Sequence, residues 1–267
     1  MDIFSLDNKI AVVTGAVGLL GQELCKALSN QGATVIVTDL NHSDCEEFAI
    51  TLENDSIGIF MDITKRDSIT KAKDRVLKDF GRIDILVNNA AVNDMVENPK
   101  VILDESKFEN YPIELWNKSL EVNLTGTFLC SQIFGPVMAD ENSGSIINIA
   151  SMYGIVAPNQ NLYKDIDGNQ KFYKPPAYST TKGAVISFTK YLAAYWGSRN
   201  VRVNSITPGG IENNQDKYFI KKYSERTPLG KMADKSDFAG AVVYLASNAS
   251  KYVTGSNIIV DGGWTCW

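Results

Sequence analysis

Tyr178 and Lys182 stand four residues apart in "KPPAYSTTKGA" (174–184), so on a helix their side chains share one face. A phenol beside an ammonium is a proton-transfer pair. A free tyrosine ionises at about pH 10, too high for a base at neutral pH, and a cation one turn away stabilises the phenolate and lowers that value. A carbonyl accepts hydride only if its oxygen also receives a proton, and an alcohol gives up hydride only as it loses one. The same Tyr-x-x-x-Lys spacing recurs at Tyr218 and Lys222 in "DKYFIKKYSER", so spacing alone does not choose between the pairs. The second reads as a mobile polar helix.

A second group of residues is suited to phosphate. "TGAVGLLG" places Gly15, Gly18 and Gly21 at three-residue spacing between a buried-strand pattern, "KIAVVTG", and a helical one, "GLLGQELCKALSNQG". Glycines at such a junction let the backbone turn sharply and approach a pyrophosphate, while the helix N-terminus offers free N–H groups. Asp39 ends the next strand pattern, "ATVIVTD". A carboxylate there suits both ribose hydroxyls of an adenosine and repels a 2′-phosphate, and Leu40 follows it where an arginine would welcome one. The reading is NAD, with NADP the lesser alternative.

These groups must be positioned by elements, and the chain supplies them in strict alternation. "SIGIFMDI", "RIDILVNNA", "GSIINIAS", "NVRVNSITPGG" and "SNIIVDGG" repeat the short apolar strand pattern, with helical periodicity between most of them. Alternation of this kind predicts an α/β fold, a Rossmann-type doubly wound parallel sheet of about seven strands with helices on both faces. No linker or composition break divides residues 1–267, which read as a single domain. With 44% hydrophobic residues and a formal net charge of −5, the chain has ample core and no overall basic field to draw nucleic acid or an anionic membrane. Its N-terminus has no signal-peptide pattern, and no apolar run is long enough to span a bilayer. Four cysteines without C-x-x-C spacing read as reduced thiols in a cytoplasmic protein. His42, the only histidine, stands among Asn41, Ser43 and Asp44 as a turn residue, so neither a metal site nor a histidine-dependent triad is expected.

Taken in order, "TGAVGLLG", Asp62, "NNAA" (88–91), Asn123, Ser151, "YSTTK" (178–182) and "NSITPGG" (204–210) resemble the short-chain dehydrogenase/reductase family over almost the whole chain. The resemblance implies hydride transfer between a nicotinamide cofactor and an alcohol or ketone. Asn123, Ser151, Tyr178 and Lys182 would then be the catalytic set: Tyr178 the base, Ser151 holding the substrate oxygen, Lys182 also binding the nicotinamide ribose, and Asn123 placing a water. Gly15, Gly18, Leu20, Gly21, Asp39, Asp62, Ile63, Asn88 and Ala90 would line the nucleotide side. Asp62 would meet the adenine amino group, and Pro208, Gly209 and Ile211 would lie near the nicotinamide. Tyr153 would face substrate.

Two features depart from the short form of that family. Leu19 stands where its middle glycine is common, a spacing more typical of the extended branch. Ser151 and Tyr178 are also set unusually far apart, leaving a polar insertion near 157–176, "APNQNLYKDIDGNQKFYKPP". The stretch "NDMVENPKVILDESKFENYP" before Asn123 is long as well. Both additions are polar and suggest a hydroxylated small-molecule substrate. A substrate lid is expected near 211–231, where Lys217 and Lys221, with Lys222 and Arg226, suggest an anion on the substrate. "SMYGIVAP", "PPAYSTTKGA" and "TPGGI" are similar to bacterial surface-sugar oxidoreductases, including those that modify flagellin. A sugar, sugar phosphate or polyol is the expected substrate. The alternatives are a 3-oxoacyl reductase and a catalytically silent NAD-sensing regulator. Two long helices, about 112–138 and 177–197, would join subunits into a homotetramer or homodimer.

Overall fold

The computed structural model describes residues 2–93 and 103–267, so part of the polar stretch before Asn123 lies outside the described residues. Seven parallel strands, β1 (Ile10–Thr14), β2 (Thr34–Asp39), β3 (Ile57–Phe60), β4 (Ile85–Asn88), β5 (Gly144–Ile149), β6 (Val201–Pro208) and β7 (Asn257–Val260), form one sheet in the order β3-β2-β1-β4-β5-β6-β7. This is the expected Rossmann-type sheet. The central strands β1 and β4 are buried along their whole length, which requires helices on both faces and accounts for their continuous apolar runs.

One face is covered by α1 (Leu19–Asn30) and by a helix near the C-terminus, Ala239–Ala246, which pack Leu24, Leu28 and Leu245, with Phe238 just before the second, against Val13 and Val35. α2 (His42–Ala49) joins them at the β2–β3 end. The opposite face carries α3 (Arg66–Phe80) and two long helical columns. The first column runs α4 (Ile113–Ser119), a π-helical stretch (Leu120–Gly126) and α5 (Thr127–Asp140). The second is α6 (Pro176–Trp196). Phe134, Met138, Leu192 and Trp196 interlock there beneath Val12 and Leu86. The columns approach so closely that a Cβ on Gly135 would overlap the Trp196 ring.

Register decides where the chemistry sits. Asn88 pairs with Asn148, and Asn148 with Ser205, so the C-terminal ends of β4 and β5 nearly coincide while β6 runs on to Pro208. Ser151 follows β5 by two residues and Gly209 follows β6 by one, which gathers them on the same rim. The chain leaves β1 towards β2 and β3 on one side, then returns to β4 on the other, and ligands bind at such switch points.

The insertion at 157–176 departs from the solvated loop that its composition suggests. It contains a 3₁₀ turn, Gln160–Tyr163, and buries Leu162 and Tyr163. With Met152, Tyr153, Tyr223, Met232 and Trp264 they form a third, smaller core, and Phe172 packs against it. Tyr163, Phe172 and Tyr223 each have a lysine beside them in sequence, so no periodic stripe announces this core.

Candidate active site

α6 begins with Pro176 in its first turn, where the missing N–H costs nothing, and it presents Tyr178 and then Lys182 to the rim of the sheet. Lys182 is almost wholly buried; its Nζ donates to the carbonyl of Ile149 at 2.7 Å and lies 5.8 Å from the centre of the Tyr178 ring. Burial pushes its pKa down to about 8. Ser151, also buried, starts the turn after β5, and its Oγ accepts the Tyr153 N–H at 3.2 Å. Asn123 sits in the π-helical stretch, where the wider turn changes which side chains face inward. Its carboxamide exchanges two hydrogen bonds with Val92, at 2.8 and 3.0 Å, and donates to Thr181 Oγ1 at 3.3 Å. Asn123 therefore ties the strand-β4 loop to α6, one residue before Lys182.

A cavity of about 610 Å³ opens over these groups, lined by Ser151, Tyr178 and Lys182 and by Leu20, Pro208, Gly209 and Ile211. That volume lies within the range of small-ligand sites. The insertion, with Leu162, Tyr163 and Phe172, and the lid helix α7 (Lys217–Ser224), with Phe219 and Tyr223, wall its other end together with Tyr153 of the β5 turn. Aromatic side chains form much of that wall, although the insertion is polar in composition. Tyr153 and Tyr163 share a hydrogen bond of 2.9 Å between their hydroxyls, and burial pushes both phenols up, so they serve as neutral scaffold. Tyr223 accepts the Gly210 N–H at 2.6 Å, approaches Met152 Sδ at 3.1 Å and stacks on Trp264 with ring centres 4.2 Å apart. This one side chain fixes the β6 loop, the β5 turn and the C-terminal tail to the lid.

The nucleotide side lies beyond that cavity, along the ends of β1, β2 and β4. Gly15 has φ +61°, a left-handed conformation, and a Cβ there would come within 2.7 Å of Ala90 Cα. Gly18 caps α1, and a Cβ on Gly21 would overlap the Gly15 carbonyl. Asn89 secures this loop by donating to the carbonyls of Thr14 and Gly15 at 3.0 and 2.9 Å. Asp39 Oδ2 accepts the Val17 N–H at 3.2 Å, which sets the carboxylate at the mouth of the glycine loop. These are the features that a dinucleotide requires: backbone bared at a helix start, and a carboxylate at the end of the neighbouring strand. Asp62 accepts from the backbone and hydroxyl of Thr64 at 2.9 and 2.7 Å, shaping the turn after β3, and Ile63 packs over Gly126. Asn88 turns inward and donates to Asn148 and Ser131, so its side chain braces the sheet; Asn89 is the residue that holds the glycine loop.

The lysines expected at the substrate are placed otherwise. Lys217 and Lys221 are exposed and line no part of the cavity, and Lys221 faces Glu225 at 3.9 Å along its own helix. Lys222 lies over the Tyr218 ring and donates to the Asn161 carbonyl, so the second Tyr-x-x-x-Lys pair fastens the lid to the insertion. Another lysine enters the wall. Lys174 Nζ lies 4.7 Å from the centre of the Tyr178 ring, and it is as far ahead of Tyr178 in sequence as Lys182 is behind. That symmetric spacing was the signal in "KPPAYSTTKGA". Among the described residues no cluster of His, Cys, Asp and Glu could hold a metal ion.

The arrangement matches proteins already known. A family pattern described as short chain dehydrogenase covers residues 9–164, and one described as enoyl-(acyl carrier protein) reductase covers 165–265. The chain is 33% identical to a D-threitol dehydrogenase of Mycolicibacterium smegmatis, over 98% of this chain and 95% of that one. It is 31% identical to the post-translational flagellin modification protein A of Campylobacter coli, over 97% and 98%. A crystal structure of a gluconate 5-dehydrogenase from Burkholderia cenocepacia in complex with NADP and tartrate superposes with a TM-score of 0.86 at 27% identity, covering 100% of this chain and 98% of that one.

Proposed function

The chain belongs to the short-chain dehydrogenase/reductase family of oxidoreductases, and on that premise we propose that it uses NAD to interconvert an alcohol and a ketone on a sugar-like, hydroxylated small molecule. The observation that carries this is the meeting of Ser151, Tyr178 and Lys182 at the floor of one cavity that continues past Gly209 and Leu20 towards the glycine loop. A nicotinamide bound there supplies or accepts the hydride. Tyr178 takes or gives the hydroxyl proton, Ser151 holds the substrate oxygen, and Lys182 favours the phenolate by its charge. Asn123 keeps Lys182 and the β4 loop in register.

NAD is preferred because a carboxylate at Asp39 repels a 2′-phosphate, although the gluconate 5-dehydrogenase neighbour holds NADP. Titration of intrinsic fluorescence with NADH and NADPH tests this directly. NADH is expected to bind the tighter, and Asp39→Ala to weaken NADH by about 10- to 100-fold while leaving NADPH the same or better. NADPH binding as tightly as NADH to the unaltered protein would overturn it.

The relatives named for a polyol and for flagellin modification support a polyol or sugar, placed in surface-glycan biosynthesis. A second reading, a carrier-linked acyl reductase, draws on the match of residues 165–265 and on the aromatic cavity wall. Turnover of a polyol but not of an acyl thioester favours the first.

The protein is further proposed to be a cytoplasmic homotetramer. Phe188, Tyr191 and Tyr195 form a stacked ladder along α6, with Phe128 of α5 beside it, and Tyr191 and Tyr195 are each 63% exposed. Such a stripe across both long helices is suited to burial against a second copy. Sedimentation is expected to show a tetramer and Tyr191→Glu a smaller species with unchanged secondary structure; a monomeric wild type would contradict this.

A further inference from the structure

Resting on the reading of this cavity as the substrate site, we propose that the insertion builds an oxyanion subsite around Lys174, for a carboxylate or phosphate carried by the substrate close to its reacting carbon. Lys174 is 8% exposed and forms part of the cavity wall. Among the groups that orient its ammonium are Asn93 Oδ1 at 2.9 Å and the rings of Tyr178 and Tyr153, 4.7 and 5.9 Å to their centres. Its place beside Tyr178 fixes what it can reach. A substrate whose reacting oxygen lies between Ser151 and Tyr178 presents its neighbouring carbons within range of this cation.

The backbone around Lys174 is built to hold it there. Its N–H donates to Gln160 Oε1 at 2.8 Å, Gln170 Nε2 in turn bonds the carbonyls of Gln160 and Phe172 at 2.9 and 2.7 Å, and Pro175 and Pro176 follow. A cation immobilised in advance binds an anion without the entropy of ordering a long side chain. Among the described residues the cavity wall carries Lys164, Lys171, Lys174 and Lys182 against one carboxylate, Asp216, whose Oδ1 is engaged in capping α7 through the Tyr218 and Phe219 N–H groups. Lys164 and Lys171 come from the same insertion, and Lys171 also acts on Asp165 there.

The test pairs probes with and without an anionic group: D-gluconate with D-glucitol, and D-glucose 6-phosphate with D-glucose, each with NAD. The expected result is higher kcat/KM for a charged member than for its neutral partner. Lys174→Met should lower that ratio by about 10- to 100-fold, and Lys174→Arg should keep most of it. Which pair responds tells carboxylate from phosphate. A preference for the neutral members, or a Met variant that lowers both members equally, overturns the subsite. If no probe turns over, the reading of the reaction is in question, and thermal melting with the same probes judges the subsite alone. Stabilisation by gluconate or the phosphate, absent with the neutral partner and lost in Lys174→Met, supports it; equal shifts or none overturn it.

Discussion

Tyr178→Phe is expected to lower turnover by about 10²- to 10⁴-fold, the contribution a positioned proton donor or acceptor makes, while leaving NADH affinity within about threefold. The substitution removes one hydroxyl from a half-buried ring at the cavity floor and leaves the ring's packing in place. Tyr153, the other tyrosine near Ser151, cannot substitute for it. Its hydroxyl is bonded to Tyr163 and burial pushes it up, away from the range of a base at neutral pH. Fluorescence titration of NADH and initial rates on the same preparation separate the two effects. Retained turnover would remove Tyr178 from the mechanism.

Lys182→Met should be the variant with opposed effects on activity and stability. The ammonium is buried and its pKa falls from the usual 10.5 to about 8. Below pH 8 the folded and unfolded chains both carry the proton, and the fold bears the full cost of the buried charge, on the order of 3 kcal/mol from the shift alone. Between pH 8 and 10.5 the unfolded chain binds more protons than the folded one, so this contribution to stability rises with pH. Methionine removes the cost but leaves the Ile149 carbonyl without its donor, a loss of about 1 kcal/mol. The expected balance at pH 7 is a gain of about 1–2 kcal/mol, or a few degrees in Tm, shrinking towards zero as pH approaches 10. Turnover should fall by about 10³-fold, through loss of the charge that favours the phenolate. Melting curves at pH 7 and pH 10 check it; destabilisation at pH 7 would show that the buried cation is compensated within the fold.

Much of the fold was legible because parallel strands buried on both faces must be continuous apolar runs, and each such run in this chain became a strand of the sheet. The glycine loop and Asp39 were legible because local backbone chemistry constrains them: Gly15 needs a left-handed φ, and Asp39 ends a strand beside the loop. The aromatic core within the insertion was not legible because composition averages over residues that point opposite ways. Leu162, Tyr163 and Phe172 are embedded among Asn, Gln, Asp and Lys, yet they face inward and build a wall with Tyr223 and Trp264. The lid lysines were misplaced for the complementary reason. In α7, Phe219 and Tyr223 turn inward while Lys217 and Lys221 face solvent, a choice that only the partners across the cavity decide. Lys174 was visible as a residue but not as a neighbour, since it lies outside the helix that carries Tyr178, beyond the Pro175 cap. Asn88 shows the same limit in the other direction. Its motif marks the end of β4, but the strand's alternation turns its side chain into the sheet and leaves Asn89 facing the loop.

The most direct test of the central claim is the absorbance of reduced nicotinamide, followed with NAD and with NADP across polyols, aldonic acids and sugar phosphates, with an acyl thioester as the contrasting substrate. Turnover of at least one hydroxylated compound is expected, faster with NAD than with NADP and abolished in Tyr178→Phe. NADH that binds without any turnover, or turnover confined to NADP and the thioester, would contradict it.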